Sequence, residues 1–95
     1  MDRAKWQKLF DFTDRVAIVT GGTRGIGRSI AEGFVAAGAK VVVASRKAEA
    51  CQETEAHLRS QGGEALGVAT QMGDLEAVKN LVRATVDRFG RIDVI

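Results

Sequence analysis

Hydrophobic positions along this chain follow two alternating spacings. Short, unbroken apolar runs of strand length occupy residues 16–19, 41–44, 65–69 and 92–95. The segments between them are longer and carry apolar side chains at helical spacing, over residues 26–37, 47–60 and 75–89. Glycines follow each helical segment at Gly38, Gly62 and Gly90. Asp74 is interpreted as an N-cap for the third segment, with a ligand role as the alternative. The pattern predicts the order β-α-β-α-β-α-β.

The strands predict a parallel sheet, because runs that are apolar throughout are typical of strands buried on both faces. Right-handed crossovers place the first two helices on one face. With a strand order of 3-2-1-4, the third helix crosses to the other face, and a topological switch point lies between strands 1 and 4. We therefore expect an α/β fold, a Rossmann-type three-layer parallel sheet that stops in its fourth strand.

Two segments are predicted. Residues 1–14 form an N-terminal arm, in which Trp6, Leu9 and Phe10 share one face and pack over the domain edge, with a partner contact as the alternative. Residues 15–95 form a partial NAD(P)-binding domain, and 95 residues suffice for one small domain.

Composition excludes several function classes. The net charge is +2, from 14 basic and 12 acidic side chains, which is too even to indicate nucleic-acid binding. No apolar run approaches the roughly 18 residues of a membrane span. Cys51 is the only cysteine, so no disulfide forms within the chain, and we expect a reducing, cytoplasmic location.

The loop after the first strand carries the clearest chemical signal. Residues 20–27 read Thr-Gly-Gly-Thr-Arg-Gly-Ile-Gly and open the first helix, where backbone N–H groups and the helix dipole favour phosphate. Gly21 is assigned the tight turn, Gly25 the close approach of phosphate, and Gly27 the contact between helix and strand. A glycine-rich turn without ligand is the alternative. A phosphate-loop NTPase is set aside, because no Gly-Lys-Ser/Thr follows.

This loop resembles that of the short-chain dehydrogenase/reductase family, whose glycines follow the spacing Gly-x3-Gly-x-Gly. The similarity extends over residues 11–95, and residues 88–95 resemble the segment that leads into the family's fourth strand. The resemblance implies hydride transfer between a nicotinamide dinucleotide and a carbonyl or alcohol, in a homo-oligomer. It also implies that Thr23, Arg24 and Ile26 contribute to the cofactor loop.

Which nicotinamide cofactor binds is predicted from the end of the second strand. An NAD site presents a carboxylate there for the ribose 2′-hydroxyl, whereas this chain has Ser45, Arg46 and Lys47. Arg46 offers a planar set of donors to a 2′-phosphate, and Arg24 approaches from the opposite side. These residues predict NADP, with a solvated first helical turn as the alternative for Arg46 and Lys47.

The resemblance implies two further points. The family commonly has an aspartate after the third strand, at the adenine; Gln71 stands there in this chain, and Met72 follows it. The family's catalytic groups are a tyrosine, a lysine four residues later and a serine, and these 95 residues contain no tyrosine. We therefore assign no catalytic residue.

Other candidate groups are interpreted as structural. Cys51 is expected in the core and His57 on the surface. The carboxylates Glu49, Glu53 and Glu55 are expected to form a solvated helix face.

Two hypotheses follow. The first is the N-terminal NADP(H)-binding part of a short-chain dehydrogenase/reductase; the second is a stand-alone, non-catalytic nucleotide-binding or interaction module. The sequence stops within the predicted fourth strand, which favours the first. An open strand edge and uncovered apolar surface also predict that this chain self-associates.

Overall fold

The computed structural model describes residues 11–95, so the predicted packing of Trp6, Leu9 and Phe10 lies outside the described residues. Strands and helices alternate as the sequence predicts. They are β1 (Val16–Thr20), α1 (Gly25–Ala36), β2 (Lys40–Ser45), α2 (Ala48–Ser60), β3 (Ala65–Ala69) and α3 (Leu75–Phe89). The described end of the predicted arm contacts the domain, since Phe12 packs edge-on against Phe34 with ring centroids 5.5 Å apart.

The sheet is parallel, and its three strands lie in the order β1-β2-β3. Val94 pairs with Ala17 on the free side of β1, so the spatial order 3-2-1-4 is confirmed. The predicted strand over residues 92–95 is wrong in extent, because Val94 forms a single isolated bridge. Beside that bridge, the Asp93 amide donates a hydrogen bond to the Val16 carbonyl (2.9 Å).

Two hydrophobic clusters lie on opposite faces of the sheet. Alternate residues of β2 divide between them: Val41 and Val43 face one cluster, and Val42 and Ala44 face the other. The first cluster includes residues of α1 and α2, and the second includes Leu81 of α3. The predicted three-layer arrangement is therefore confirmed.

Helix α1 turns part of its apolar spacing towards solvent. Ile26 and Ile30 lie at helical spacing in the sequence, but they are 81% and 47% exposed. Ala31 is the fully buried residue of this helix, and Gly27 lies one turn before it against the backbone of Gly21. A helix this close to a strand needs its smallest side chains on the inner face, which turns the isoleucines outward.

The free edge of β3 is covered by α2. The Glu55 carboxylate accepts a hydrogen bond from the Gly67 amide (2.9 Å), and the Arg59 guanidinium donates one to the Ala65 carbonyl (3.2 Å). The prediction that Glu55 belongs to a solvated face is wrong, because the carboxylate satisfies a strand-edge donor. Edge groups satisfied in this way are unavailable for pairing with another strand.

Asp74 caps α3 as predicted. Its carboxylate accepts hydrogen bonds from the amides of Glu76 (3.0 Å) and Ala77 (3.4 Å). Asp74→Ala is expected to lower the free energy of unfolding by about 1 kcal/mol, because two first-turn amides lose their acceptor. Chemical denaturation measures this change. Asp87→Ala, an exposed change inside the same helix, is the control, and equal losses in both variants would contradict the capping role.

The segment after α3 is fastened to β1 by Asp93. Its carboxylate, 15% exposed, pairs with Arg91 (2.7 Å) and accepts a hydrogen bond from the Val16 amide (2.9 Å). The Arg91 hydrogen bond, followed by that of Val16, lowers the pKa of Asp93 below its ordinary value. A carboxyl group whose pKa is lower in the folded state stabilises the fold at neutral pH. That stabilisation is lost as the pH falls through the ordinary pKa towards the lowered one.

Asp93→Asn is therefore expected to weaken the acid dependence of stability. Melting temperatures of wild type and variant should differ most near neutral pH and converge as the pH falls below about 4. A constant difference in melting temperature across that range would show that the Asp93 charge does not contribute to the pH dependence of stability. Asp87→Asn provides the matched control, because Asp87 is exposed on α3.

Candidate cofactor-binding site

A cleft of about 460 Å³ lies at the carboxyl ends of the three parallel strands. Its walls come from the glycine loop, the end of β2 with the start of α2, and the segment after β3. The lining residues are Gly21, Thr23, Arg24, Ala44, Ser45, Arg46, Lys47, Ala50, Thr70, Gln71, Met72 and Gly73. They include three basic side chains and no acidic one, so the cleft is suited to an anion.

The glycine loop forms the first wall. Gly21 has a φ of +67° and Gly25 a φ of +60°, a left-handed conformation that favours glycine. The Gly21 amide donates a hydrogen bond to the Ala44 carbonyl (2.8 Å), which joins the loop to β2. A Cβ on Gly27 would lie 2.2 Å from the Gly21 oxygen, so the turn and packing roles assigned to Gly21 and Gly27 agree with the geometry. No atom lies within 4 Å of a Cβ on Gly25, leaving space beside it.

The N-terminus of α1 follows this loop without a side-chain cap. Arg24 occupies the N-cap position in an extended conformation, its side chain forms no capping hydrogen bond, and the first turn contains no acidic residue. First-turn amides have no acceptor within their own helix. With the positive end of the helix dipole, they form a site for an anion such as phosphate.

The turn between β2 and α2 forms the second wall. The Lys47 amide donates a hydrogen bond to the Ser45 hydroxyl (3.3 Å), and Arg46 and Lys47 are exposed. Within residues 11–95, neither side chain takes part in an ion pair, and Arg24 of the first wall likewise has none. Their positive charges are therefore available to a ligand.

The segment after β3 forms the third wall. Thr70 is buried, its amide donates to the Ser45 carbonyl (2.7 Å), and its hydroxyl donates to the Val68 carbonyl (3.1 Å). Gln71 and Met72 follow and are exposed to the cleft. Met72 thus presents an apolar side chain, and Gln71 an amide, at the same wall.

The structure brings most of the predicted site residues together. Gly25, Ile26 and Gly27 are near the cleft in sequence but do not line it; Gly27 instead packs on Gly21, and Ile26 points into solvent. Ala44, Ala50, Thr70 and Gly73 line the cleft and were not predicted. Ala44 and Ala50 carry no reactive group, so the sequence gives no chemical signal for them. The only indication for Ala50 is its position in the first turn of α2.

Metal-binding and membrane-spanning features are absent from the described residues. Residues 11–95 contain no cluster of three or more His, Cys, Asp or Glu side chains able to hold a metal ion. In this part of the chain, no helix has the length and hydropathy to cross a membrane. Cys51 is buried as predicted, and His57 is only partly exposed because it contacts Glu32 (3.5 Å).

Comparison with known proteins points in one direction. Residues 15–95 match the family model for short chain dehydrogenase. An uncharacterized oxidoreductase of Thermotoga maritima is 46% identical over 81 residues, covering 85% of this chain and 32% of that protein. Tropinone reductase-like 3 of Erythroxylum coca is 43% identical over 84 residues, covering 88% and 33%.

Solved structures with similar folds include two of interest. The citronellol catabolism dehydrogenase of Pseudomonas aeruginosa PAO1 gives a TM-score of 0.82 at 38% identity, covering 87% of this chain and 35% of that one. A metagenomic short-chain oxidoreductase in complex with NADP gives 0.79 at 34% identity, covering 86% and 37%. The chain thus spans about a third of the length of the relatives it matches.

Proposed function

The chain belongs to the short-chain dehydrogenase/reductase family, and we propose that it binds the adenosine end of NADP(H) for such an oxidoreductase. Members of this family bind a nicotinamide dinucleotide. The observation that carries the preference for NADP is the charge of the cleft, which has three basic side chains and no carboxylate. The NADP-bound relative supports the same cofactor by similarity.

The cofactor diphosphate is assigned to the glycine loop. The uncapped start of α1 supplies amide donors and a positive dipole, and Gly25 leaves room for a close approach of phosphate oxygens. Thr23 lies in the cleft wall at this point, and Ile26 lies on the exposed side of the same first turn. These residues would hold phosphate mainly through backbone groups.

The 2′-phosphate is assigned to the turn after β2. Ser45, Arg46 and Lys47 offer a hydroxyl and two cations there, and Arg24 lies in the glycine-loop wall of the same cleft. A charge-assisted hydrogen bond contributes about 1.5–3 kcal/mol, so one or two such bonds would favour NADPH over NADH by roughly tenfold to several thousandfold. A carboxylate at this position would oppose the same phosphate.

Adenine is assigned to the wall formed by Gln71 and Met72. The Met72 thioether offers a polarizable surface for an aromatic ring, and the Gln71 amide can donate to or accept from its edge. Hydride transfer is the chemistry that the bound cofactor supplies. These 95 residues contain no tyrosine, so this chain contributes binding and not the family's proton-transfer group.

A site-resolved titration tests the proposal. Adenosine 2′,5′-bisphosphate should shift the backbone NMR signals of residues 21–27, 45–47 and 71–72, because its 5′-phosphate, 2′-phosphate and adenine match the groups assigned to these segments. Signals of Thr85, on α3 in the opposite layer, should stay in place. Absence of shifts at the glycine loop up to millimolar ligand would contradict the assigned site.

Self-association is the other expected property of this chain. Large apolar side chains are exposed on α1 and along α3, among them Ile26, Leu75, Val82 and Val86, and Ile95 is 81% exposed. Exposed apolar surface of this kind promotes association. Light scattering at micromolar concentration should give a mass above that of a monomer, and a monodisperse monomer would contradict it. A homo-oligomeric, cytoplasmic parent protein stays an expectation.

A further inference from the structure

Helix α2 lies behind the proposed cofactor site and contacts two of the three walls of the cleft, the glycine loop and the turn after β2. Two of its residues, Cys51 and Thr54, are each 1% exposed and lie one turn apart on its inner face. The Thr54 hydroxyl is 3.5 Å from the Thr23 carbonyl of the glycine loop. The Cys51 thiol is 3.6 Å from the Ser45 carbonyl at the end of β2.

These two carbonyls belong to residues of two different cleft walls, the glycine loop and the turn after β2. The Ser45 carbonyl also accepts the hydrogen bond of the Thr70 amide, so β2, β3 and α2 meet at this atom. Burial raises the pKa of the Cys51 thiol, which keeps the thiol protonated and able to donate. Neither Cys51 nor Thr54 lines the cleft, so any effect they have on a ligand is indirect.

Helix α2 is held closely against β3. A Cβ on Gly67 would lie 2.3 Å from the Cys51 carbonyl oxygen, so the helix rests directly on β3 at this level. Glu55 and Arg59 fasten the same helix to the edge of β3. Helix α2 is thus a fixed support, and Cys51 and Thr54 are its connections to the two walls.

We propose that Cys51 and Thr54 are positioning residues that fix the distance between the glycine loop and the turn after β2, and thereby strengthen the preference for a 2′-phosphate. The proposal rests on the proposed function. Arg24 and Arg46 belong to these two walls and are both assigned to the 2′-phosphate, so its binding depends on the separation of the walls. The diphosphate is assigned to one wall alone, so its binding depends less on the separation of the two walls.

Thr54→Val tests the proposal, because valine keeps the shape of threonine and removes the hydroxyl. NADPH affinity is expected to fall about fivefold while NADH affinity changes by less than about twofold, as expected for the loss of one hydrogen bond. Thr54→Ser retains the hydroxyl and is expected to restore the wild-type ratio of the two affinities. Both are measured by calorimetric titration of the full 95-residue chain.

Thr85→Val is the matched control. Thr85 is also fully buried and donates its hydroxyl hydrogen bond to a carbonyl, that of Leu81 (2.8 Å), but it lies on α3 outside the cleft. The same loss of a buried hydroxyl should therefore leave the NADPH-to-NADH ratio unchanged. A ratio that falls equally in Thr85→Val and Thr54→Val would overturn the positioning role in favour of general destabilisation.

An unchanged NADPH-to-NADH affinity ratio in a folded Thr54→Val would overturn the role of Thr54. Should that variant fail to fold, Cys51→Ala is compared with Cys51→Ser, which keeps a donor towards Ser45. Only the alanine variant is expected to lower the NADPH-to-NADH affinity ratio. Equal ratios in the two variants would overturn the proposal. Wild-type chain that binds neither dinucleotide would contradict the proposed function itself, which separates that failure from the failure of the positioning role.

Discussion

Gly27→Ala is expected to remove cofactor binding and to destabilise the fold. The new Cβ would lie 2.2 Å from the Gly21 oxygen and 2.8 Å from its carbonyl carbon, and both are backbone atoms that no side-chain rotation can move away. Overpacking of this kind costs about 1–3 kcal/mol of stability. The start of α1 must move away from the loop, so the amide donors assigned to the diphosphate lose their alignment.

The expected loss of NADPH affinity is on the order of a hundredfold, because at least one charge-assisted hydrogen bond and the dipole of α1 act together at this point. Gly33→Ala is the control. Gly33 lies in the same helix with no atom within 4 Å of its Cβ position, so alanine is expected to raise stability by about 0.5–1 kcal/mol and leave affinity unchanged. Calorimetric titration and thermal melting measure both effects. Wild-type NADPH affinity in Gly27→Ala would show that the close packing of α1 against Gly21 is not needed for cofactor binding.

Arg46→Glu is expected to reverse the cofactor preference. The substitution removes the planar donor group at the end of β2 and places there the carboxylate that an NAD site uses for the ribose 2′-hydroxyl. NADPH affinity should fall at least about a hundredfold, because attraction to the 2′-phosphate is replaced by repulsion. NADH affinity should stay the same or rise.

A control must separate this local effect from the change in net charge. Arg83→Glu alters the net charge equally, and Arg83 is an exposed residue of α3 that does not line the cleft. Its NADPH affinity is expected to stay within about twofold of wild type, because exposed charges beyond the Debye length are screened. Parallel losses in the two variants would mean that general charge, and not Arg46, attracts the cofactor.

Much of the fold could be predicted from the sequence because strand and helix periods are local properties. The continuous apolar runs at β1 and β2 identified buried parallel strands, and Asp74 and Gly90 marked the ends of α3 through their own capping chemistry. The loop from Gly21 to Gly27 was recognisable because phosphate binding restricts which residues fit there.

The remaining features depend on tertiary contacts that no local pattern encodes. The outward direction of Ile26 follows from how closely Gly27 approaches Gly21. The role of Glu55 depends on the position of the Gly67 amide, twelve residues away on another element. Thr54 carries no local sequence signal for its contact, because Thr23 lies 31 residues away in the glycine loop.

The most direct test of the central claim is a paired titration of the unmodified 95-residue chain with NADPH and NADH at one ionic strength. We expect NADPH to bind more tightly, by roughly tenfold or more, because the cleft has no carboxylate and is lined by Arg24, Ser45, Arg46 and Lys47. Equal affinities, or tighter binding of NADH, would contradict the account.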